Sequence, residues 1–274
     1  MQSNLLPRTD LALEAADTGD GKLPEGVFCE ESRKGPLLRT VVRIETEQAA
    51  ARLGRPTGTY LTLEGPLGER RAMAGALAHA LASMLPSGPV LVIGLGNRAI
   101  TPDLLGPETA GRILATRHLP EQLLEQVGLS GLRRVCVLAP GVMGQTGFEV
   151  AELVGAAMRQ EPFEAVIAVD ALAARSAGRL GRTVQLSDSG ISPGSGVLNR
   201  RAALSRESLG IPVLALGIPT VADISEPGQE GEPLMATPRD IDRIIQQGAA
   251  VLADGINRAL QPTLRPVEIE ALLS

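Results

Sequence analysis

The chain has 274 residues, 44% of them hydrophobic, enough for one large α/β domain with elaborations or for two small ones. Aromatic residues make up only 1%, with no Trp, which argues against a platform for stacking nucleic-acid bases, and a formal net charge of -5 argues against a binder of phosphate backbones. No apolar stretch reaches membrane-spanning length free of Gly, Pro or charge, and the opening MQSNLLPRTD lacks the features of a secretory signal, so a cytoplasmic protein with no membrane or direct nucleic-acid partner is expected.

Residues 1–60 mix charge, Gly and Pro with short apolar alternations, of which Arg39–Glu45 and Gly58–Glu64 read as strands rich in β-branched residues. Cys29 and Cys136 show neither metal-knuckle nor disulfide spacing. Cys136, inside an apolar run, reads as a small buried hydrophobe. The Ala- and Leu-rich stretch Gly68–Leu85 predicts a helix ended by Pro86. Then come five short apolar runs of the kind that fill a sheet covered on both faces: Val90–Ile93, Val135–Leu138, Val166–Val169, Val184–Leu186 and Val213–Leu216. Helical segments lie between several of them, at Gly106–Ala115, Pro120–Val127, Phe148–Arg159 and Ala171–Ala177. This alternation implies an α/β fold with a doubly wound, mostly parallel sheet, helices on both faces and an N-terminal β-rich elaboration. Ser225–Pro233, acidic and free of apolar residues, reads as an exposed mobile loop. Thr237 as N-cap and Pro238 at the first position open a final helix over Arg239–Leu260.

The five runs are followed by GLGNRAITPD, APGVMGQTG, DALAAR, SDSGISPGSG and GIPTVAD. In a parallel sheet such loops gather at the carboxyl edge, where α/β proteins bind ligands. Gly94-Leu95-Gly96-Asn97-Arg98-Ala99 loosely fits a dinucleotide fingerprint, but Pro102 interrupts the helix it needs and the next strand ends in Ala-Pro rather than an acid. No Gly-Lys-[Ser/Thr] follows to make a phosphate loop. Neither His79, in an Ala-rich helix, nor His118, in TRHLP, stands at a strand end to serve Ser195 as a triad base.

Asp103 and Asp170 remain. Each reads singly as the cap of a following helix. As a pair delivered to one crevice, they form a candidate acid–base couple, because two carboxyls sharing a site do not both ionise easily. The protonated member then gives a proton to a leaving amine while the ionised one activates water. Asp188 and Asp223 are further strand-end acids, read as supporting groups.

The motifs RTDLALEA (Arg8–Ala15), YLTLEG (Tyr60–Gly65), GLGNRAITPDLLGP (Gly94–Pro107), TRHL (Thr116–Leu119), APGVMGQTGFE (Ala139–Glu149), VDALAAR (Val169–Arg175), SDSGISPGSGVLNRR (Ser187–Arg201) and LGIPVLALGIPTVAD (Leu209–Asp223) occur in one order across nearly the whole chain. With them the chain resembles the germination proteases of spore-forming bacteria. The resemblance implies an aspartic-type endopeptidase that degrades small acid-soluble spore proteins in the spore core, acts as a homotetramer and is kin to hydrogenase-maturation endopeptidases in fold. It places the two essential aspartates at Asp103 and Asp170, with no cofactor and no metal. It also implies a zymogen that removes a leader by self-cleavage after an acidic residue. The pattern Arg8-Thr9-Asp10-Leu11-Ala12-Leu13-Glu14 sets that cut between Asp10 and Leu11, leaving 11–274 as one peptidase domain: an elaboration over 11–85, a core sheet over 86–223, a loop over 224–236 and a helix over 237–260.

On this reading the loops Gly94–Asn97, Pro140–Gly147 and Ser187–Gly196 shape the substrate groove, with Gly94, Gly96, Asn97, Gly141, Gly144, Gly194 and Ser195 offering backbone donors to an oxyanion. Arg175, Arg200 or Arg201 meets the acidic side chain at the cleavage site. Two departures from the family are visible: the stretch Ile224–Ala236 replaces a longer insertion, and SDSG replaces a Thr-flanked version. The alternatives are a metal-assisted maturation-type peptidase and a non-catalytic nucleotide- or metabolite-binding α/β protein.

Overall fold

A computed structural model describes residues 8–17, 22–192, 203–225 and 234–273. In chain order the strands are β1 (Val27–Lys34), β2 (Leu37–Ile44), β3 (Gly58–Glu64), β4 (Val90–Gly94), β5 (Val135–Leu138), β6 (Ala165–Ala174), β7 (Thr183–Ser187), β8 (Val213–Asp223) and β9 (Met235–Ala236). The helices are α1 (Ala12–Ala16), α2 (Glu47–Leu53), α3 (Arg70–Met84), α4 (Leu105–Ala110), α5 (Glu121–Gln126), α6 (Met143–Thr146), α7 (Val150–Gln160), α8 (Arg206–Leu209), α9 (Ile241–Leu260) and α10 (Pro266–Leu273). No helix among the described residues is long and apolar enough to cross a membrane.

One mixed sheet runs through the molecule in the order β1-β2-β3-β7-β8-β6-β4-β5, with β9 paired to β8. The β8-β6-β4-β5 half is parallel, and the β1-β2-β3-β7 half is antiparallel. Helices cover both faces. On one face α3, α4 and α9 pack on side chains from both halves, among them Leu61, Val92, Ile167 and Leu214. Met73, Leu77 and Leu81 of α3 are wholly buried there, each contributing about 1.5–3 kcal/mol by leaving water. On the opposite face α7 covers Leu91, Ile93, Val166 and Ala168 of the parallel half, while α1 and α2 cover Val42, Ile44 and Tyr60 of the antiparallel half. The odd and even residues of β2, β3 and β6 divide between the faces, as the two-residue period of a strand requires.

The apolar runs of the parallel half become strands where the sequence places them, but three expectations need correction. Ala171–Ala177 is not a helix: β6 continues through Ala174, paired with β8 across a register shift between Leu172 and Ala173. The local Ala-Leu-Ala-Ala favours helix, and pairing with a strand forty residues away overrides it. β7, one of the five apolar runs expected to run parallel, lies antiparallel to β8, with Gln185 opposite Gly217 and Ser187 opposite Ala215. Its following loop, beginning at Asp188, therefore leaves from the edge opposite the carboxyl ends of β4, β6 and β8. Finally, α9 begins at Ile241 behind Asp240, and Thr237 instead donates its hydroxyl to the Thr220 carbonyl at 3.0 Å. Most of the expected loop Ser225–Pro233 lies outside the described residues.

Candidate active site

The junction between β4, β6 and α4 is built on glycine. A Cβ at Gly94 would sit 2.2 Å from the Gly106 carbonyl oxygen, and one at Gly106 would sit 2.0 Å from that of Leu95 and 2.6 Å from that of Val169. With no side chains there, the start of α4 rests directly on the ends of both strands, and Leu95 N–H donates to the Val169 oxygen at 2.8 Å. The short 3-10 turn Thr101–Asp103 is thereby held against β6, whose next residue is Asp170. Backbone contact thus sets the turn that ends at Asp103 beside the middle of β6, where Asp170 stands.

Neither acid caps a helix. Asp170 lies within β6, and its Oδ1 accepts the Ala171 N–H at 2.9 Å. Asp103 closes the 3-10 turn, and its Oδ2 accepts the Asn97 N–H at 2.7 Å. Gly96, at φ +130, has the Asp103 carbonyl oxygen 2.0 Å from where a Cβ would stand, so only Gly fits at this point of the loop leading to the turn. Asn97 Oδ1 in turn accepts from Gln145 Nε2 at 2.9 Å, tying the Gly94–Asn97 loop to the loop after β5 that contains Gly141 and Gly144. Two of the three expected groove loops thus meet beside Asp103. The third begins at the far edge, and its Gly194 and Ser195, like Arg200 and Arg201, lie outside the described residues.

The other candidates divide. Asp188 is exposed and accepts the Thr59 N–H at 2.7 Å, joining β7 to the start of β3 away from the acid pair. Asp223 is buried at the end of β8, where its carboxylate accepts from Arg8 N–H at 2.7 Å and Ser225 N–H at 2.9 Å. Burial alone would raise its pKa, but hydrogen bonds from Ser225 and Arg8 together with the Arg8 charge outweigh that and leave it below the usual carboxylate value. Arg175 faces the N-terminal segment through its backbone, which donates to Glu14 at 2.6 Å. His79 and His118 are both exposed, and Cys136 is half-buried beside the core rather than fully inside it. Among the described residues no group of three or more His, Cys, Asp or Glu could hold a metal ion.

Residues 8–14 lie on the sheet. Asp10 N–H donates to the Ala173 oxygen at 2.7 Å, and Ala173 N–H returns a bond to the Asp10 carboxylate at 2.8 Å. Arg55, just beyond α2, donates to the Thr9 carbonyl and stands 3.3 Å from Asp10 Oδ1. Gln185 Nε2 donates to the Asp10 carbonyl at 2.9 Å, and its Oε1 accepts the Ala12 N–H at 2.8 Å. Leu11 is wholly buried. Glu14 accepts from the Arg175 and Ser176 amides and the Thr9 hydroxyl, and lies 3.8 Å from Arg179. Arg55 and Gln185 escaped sequence reasoning because their roles depend on where β7 and the N-terminal segment sit, and neither belongs to a local motif.

A family model described as germination protease matches residues 9–228. The germination protease of Caldanaerobacter subterraneus subsp. tengcongensis is 37% identical, covering 97% of this chain and 98% of the relative. That alignment runs over 317 positions against 274 residues here, so the relative carries segments this chain lacks. The germination protease of Clostridium tetani is 34% identical over 97% and 99% of the two chains, and that of Priestia megaterium 41% identical over 79% and 63%. Among solved structures, a [NiFe] hydrogenase maturation protease HycI from Thermococcus kodakarensis KOD1 matches with a TM-score of 0.40 and 20% identity, covering 66% of this chain and 98% of that one.

Proposed function

The chain belongs to the germination protease family, a family of endopeptidases, and from that premise we propose that it is a zymogen whose Asp103 and Asp170 cut peptide bonds with an activated water. What supports the pairing is the glycine-built junction: the Leu95–Val169 hydrogen bond and the seat of Gly106 on Val169 set the Asp103 turn beside the strand that carries Asp170. The substrates are small acid-soluble spore proteins, degraded in the spore core during germination, and the enzyme works as a homotetramer.

With two carboxyls in one site, one is protonated and the other ionised. The ionised carboxylate takes a proton from water as the water oxygen attacks the carbonyl carbon. The protonated one delivers its proton to the amine nitrogen as the C–N bond breaks. Because the Leu95 amide is taken by Val169 and the Asn97 amide by Asp103, the donors toward the oxyanion are the amides of Gly96 and of the linked Gly141–Gly144 segment. In the zymogen the same chemistry cuts Asp10–Leu11 and releases residues 1–10.

The test compares the wild-type chain with Asp103→Asn and Asp170→Asn on an intact acid-soluble spore protein. Mass spectrometry follows both substrate fragments and loss of residues 1–10. Both reactions are expected to fail in both variants, and full activity in either one overturns the assignment.

A further inference from the structure

The hydrogen bonds around Asp10 have the layout of a bound substrate. Asp170 and Gln185 are both paired with Gly217, one from each side of β8, so the three stand in one row across the sheet. Directly paired residues point to the same face, and this is the face on which the N-terminal segment lies, since Gln185 reaches its backbone. Neighbouring strands are about 4.8 Å apart, which puts the Gln185 and Asp170 backbones roughly 10 Å from each other. Gly217 puts no side chain in the middle of the row, where the Leu172 side chain lies instead: a Cβ at Gly217 would meet the Asp170 carbonyl oxygen at 2.5 Å and Leu172 Cγ at 2.7 Å. Thr62, opposite Gln185 on β3, extends the row with a buried hydroxyl that has no partner among the described residues.

Above this row the Gln185 carboxamide brackets Leu11, donating to the carbonyl oxygen of the Asp10–Leu11 peptide bond itself and accepting from the amide of the next peptide, at Ala12. The side chain before the Asp10–Leu11 bond is an acid: its Oδ1 faces the Arg55 guanidinium and, at 4.0 Å, that of Arg8, which leaves with residues 1–10, and its Oδ2 takes the Ala173 amide. A cation and a fixed N–H divided between two carboxylate oxygens discriminate strongly against a neutral side chain, because charge-assisted bonds are about twice as strong as neutral ones.

We infer that Arg55 and the Ala173 amide form the subsite for the acidic residue preceding the scissile bond, with the Gln185 carboxamide clamping that bond's carbonyl oxygen and the amide of the next peptide. In the zymogen Asp10 occupies the subsite in cis, and after loss of residues 1–10 the acidic side chain of a substrate protein takes its place. The subsite is distinct from the arginines proposed on sequence grounds.

This inference rests on the reading that Asp10–Leu11 is the bond cut, and the test separates the two. Intact-mass measurement follows the full-length chain for loss of residues 1–10. The processed protein then receives a synthetic octapeptide with the sequence of residues 8–15, RTDLALEA, or its Asn counterpart, RTNLALEA. The wild type is expected to release residues 1–10 and to cut the Asp peptide with kcat/KM at least about tenfold above that for the Asn peptide. Arg55→Gln brings the two values to within about twofold, chiefly through KM. Gln185→Leu keeps the preference and lowers kcat on the Asp peptide by at least about tenfold. An Arg55→Gln enzyme with the wild-type preference overturns the subsite while leaving the cleavage reading intact, and an unchanged kcat in Gln185→Leu overturns the clamp. A wild-type chain that is not cut at Asp10–Leu11 overturns the cleavage reading and the subsite with it. Should Arg55→Gln fail to fold, full-length Asp10→Asn decides: self-cleavage slowed at least about tenfold supports the subsite, and an unaltered rate overturns it.

Discussion

The two halves of the sheet do different work by different means. In the parallel half, position is set by backbone: glycines at 94, 96 and 106 let main chain touch main chain, and the acids Asp103 and Asp170 are carried to their places as a consequence. In the antiparallel half, position is set by side chains: Gln185 of β7 and Arg55 near β3 reach out to hold residues 9–12. On the proposed reading, a site assembled this way separates the groups that perform chemistry from those that choose and orient the peptide. Damage to the first kind of group should remove activity, and damage to the second should redistribute it.

Replacement of the acids gives the largest effect. Asp103→Asn or Asp170→Asn is expected to lower peptide cleavage by about 10²–10⁴-fold with a urea midpoint close to wild type. A midpoint that collapses instead would mean the acids are structural, and the contrast between the halves would fail. Next comes the backbone junction. Gly106→Ala places a methyl group against three backbone atoms and should cost about 3 kcal/mol in urea unfolding. Gly75→Ala, within α3 where a Cβ meets nothing within 4 Å, should instead stabilise by up to about 1 kcal/mol. Equal effects at the two positions would contradict the claim that the junction is tight.

Glu14→Ala tests the attachment of the N-terminal segment. Removing an acceptor shared by the Arg175 and Ser176 amides should cost about 1–3 kcal/mol and speed exchange at those two amides, while the core of the parallel half keeps its protection. The smallest effect is that of pH. The Asp223 pKa is lowered in the fold, so its stabilisation is present in full above an unfolded value of about 3.9 and is lost as pH falls through the lower folded value. Exchange of the Arg8 amide, its partner, should be insensitive to pH-linked loosening between 5 and 7 and show it only below about 4. Asp223→Asn should remove that extra loosening.

How legible each half was in the sequence follows from the same physics. A strand buried on both faces reads as an unbroken apolar run, as β4 does with all five residues buried; β5, at the sheet edge with only Val135 buried, still reads as a strand because its residues are all apolar. β1 gave no such signal because only Val27 is buried and the next seven residues are exposed. The direction of β7 was hidden for another reason: Val184–Leu186 has the same apolar character whether it runs parallel or antiparallel, and direction is decided by Tyr60–Glu64 of β3 and Gln185–Ser187 meeting β8. That one reversal carried the Asp188 loop to the far edge and brought Gln185 into register with Asp170. The proposed acid pair therefore rests on local sequence, whereas Arg55 and Gln185 come into view only once distant segments are in place.

The N-terminal segment also has a place in time. Residues 8–12 leave the ribosome ahead of every other described part of the chain, yet their partners lie 163 residues later at Ala173, 173 to 175 later at Gln185 and 215 later at Asp223. Contacts of such sequence separation close late, after the strands that supply them have paired. The earliest segment made thus docks late on Ala173, Gln185 and Asp223, even though Arg55 lies only 45 residues on, and the Asp10–Leu11 bond meets Gln185 only after the strands of the parallel half have paired. Chain topology alone supplies a checkpoint that a half-built protein does not pass.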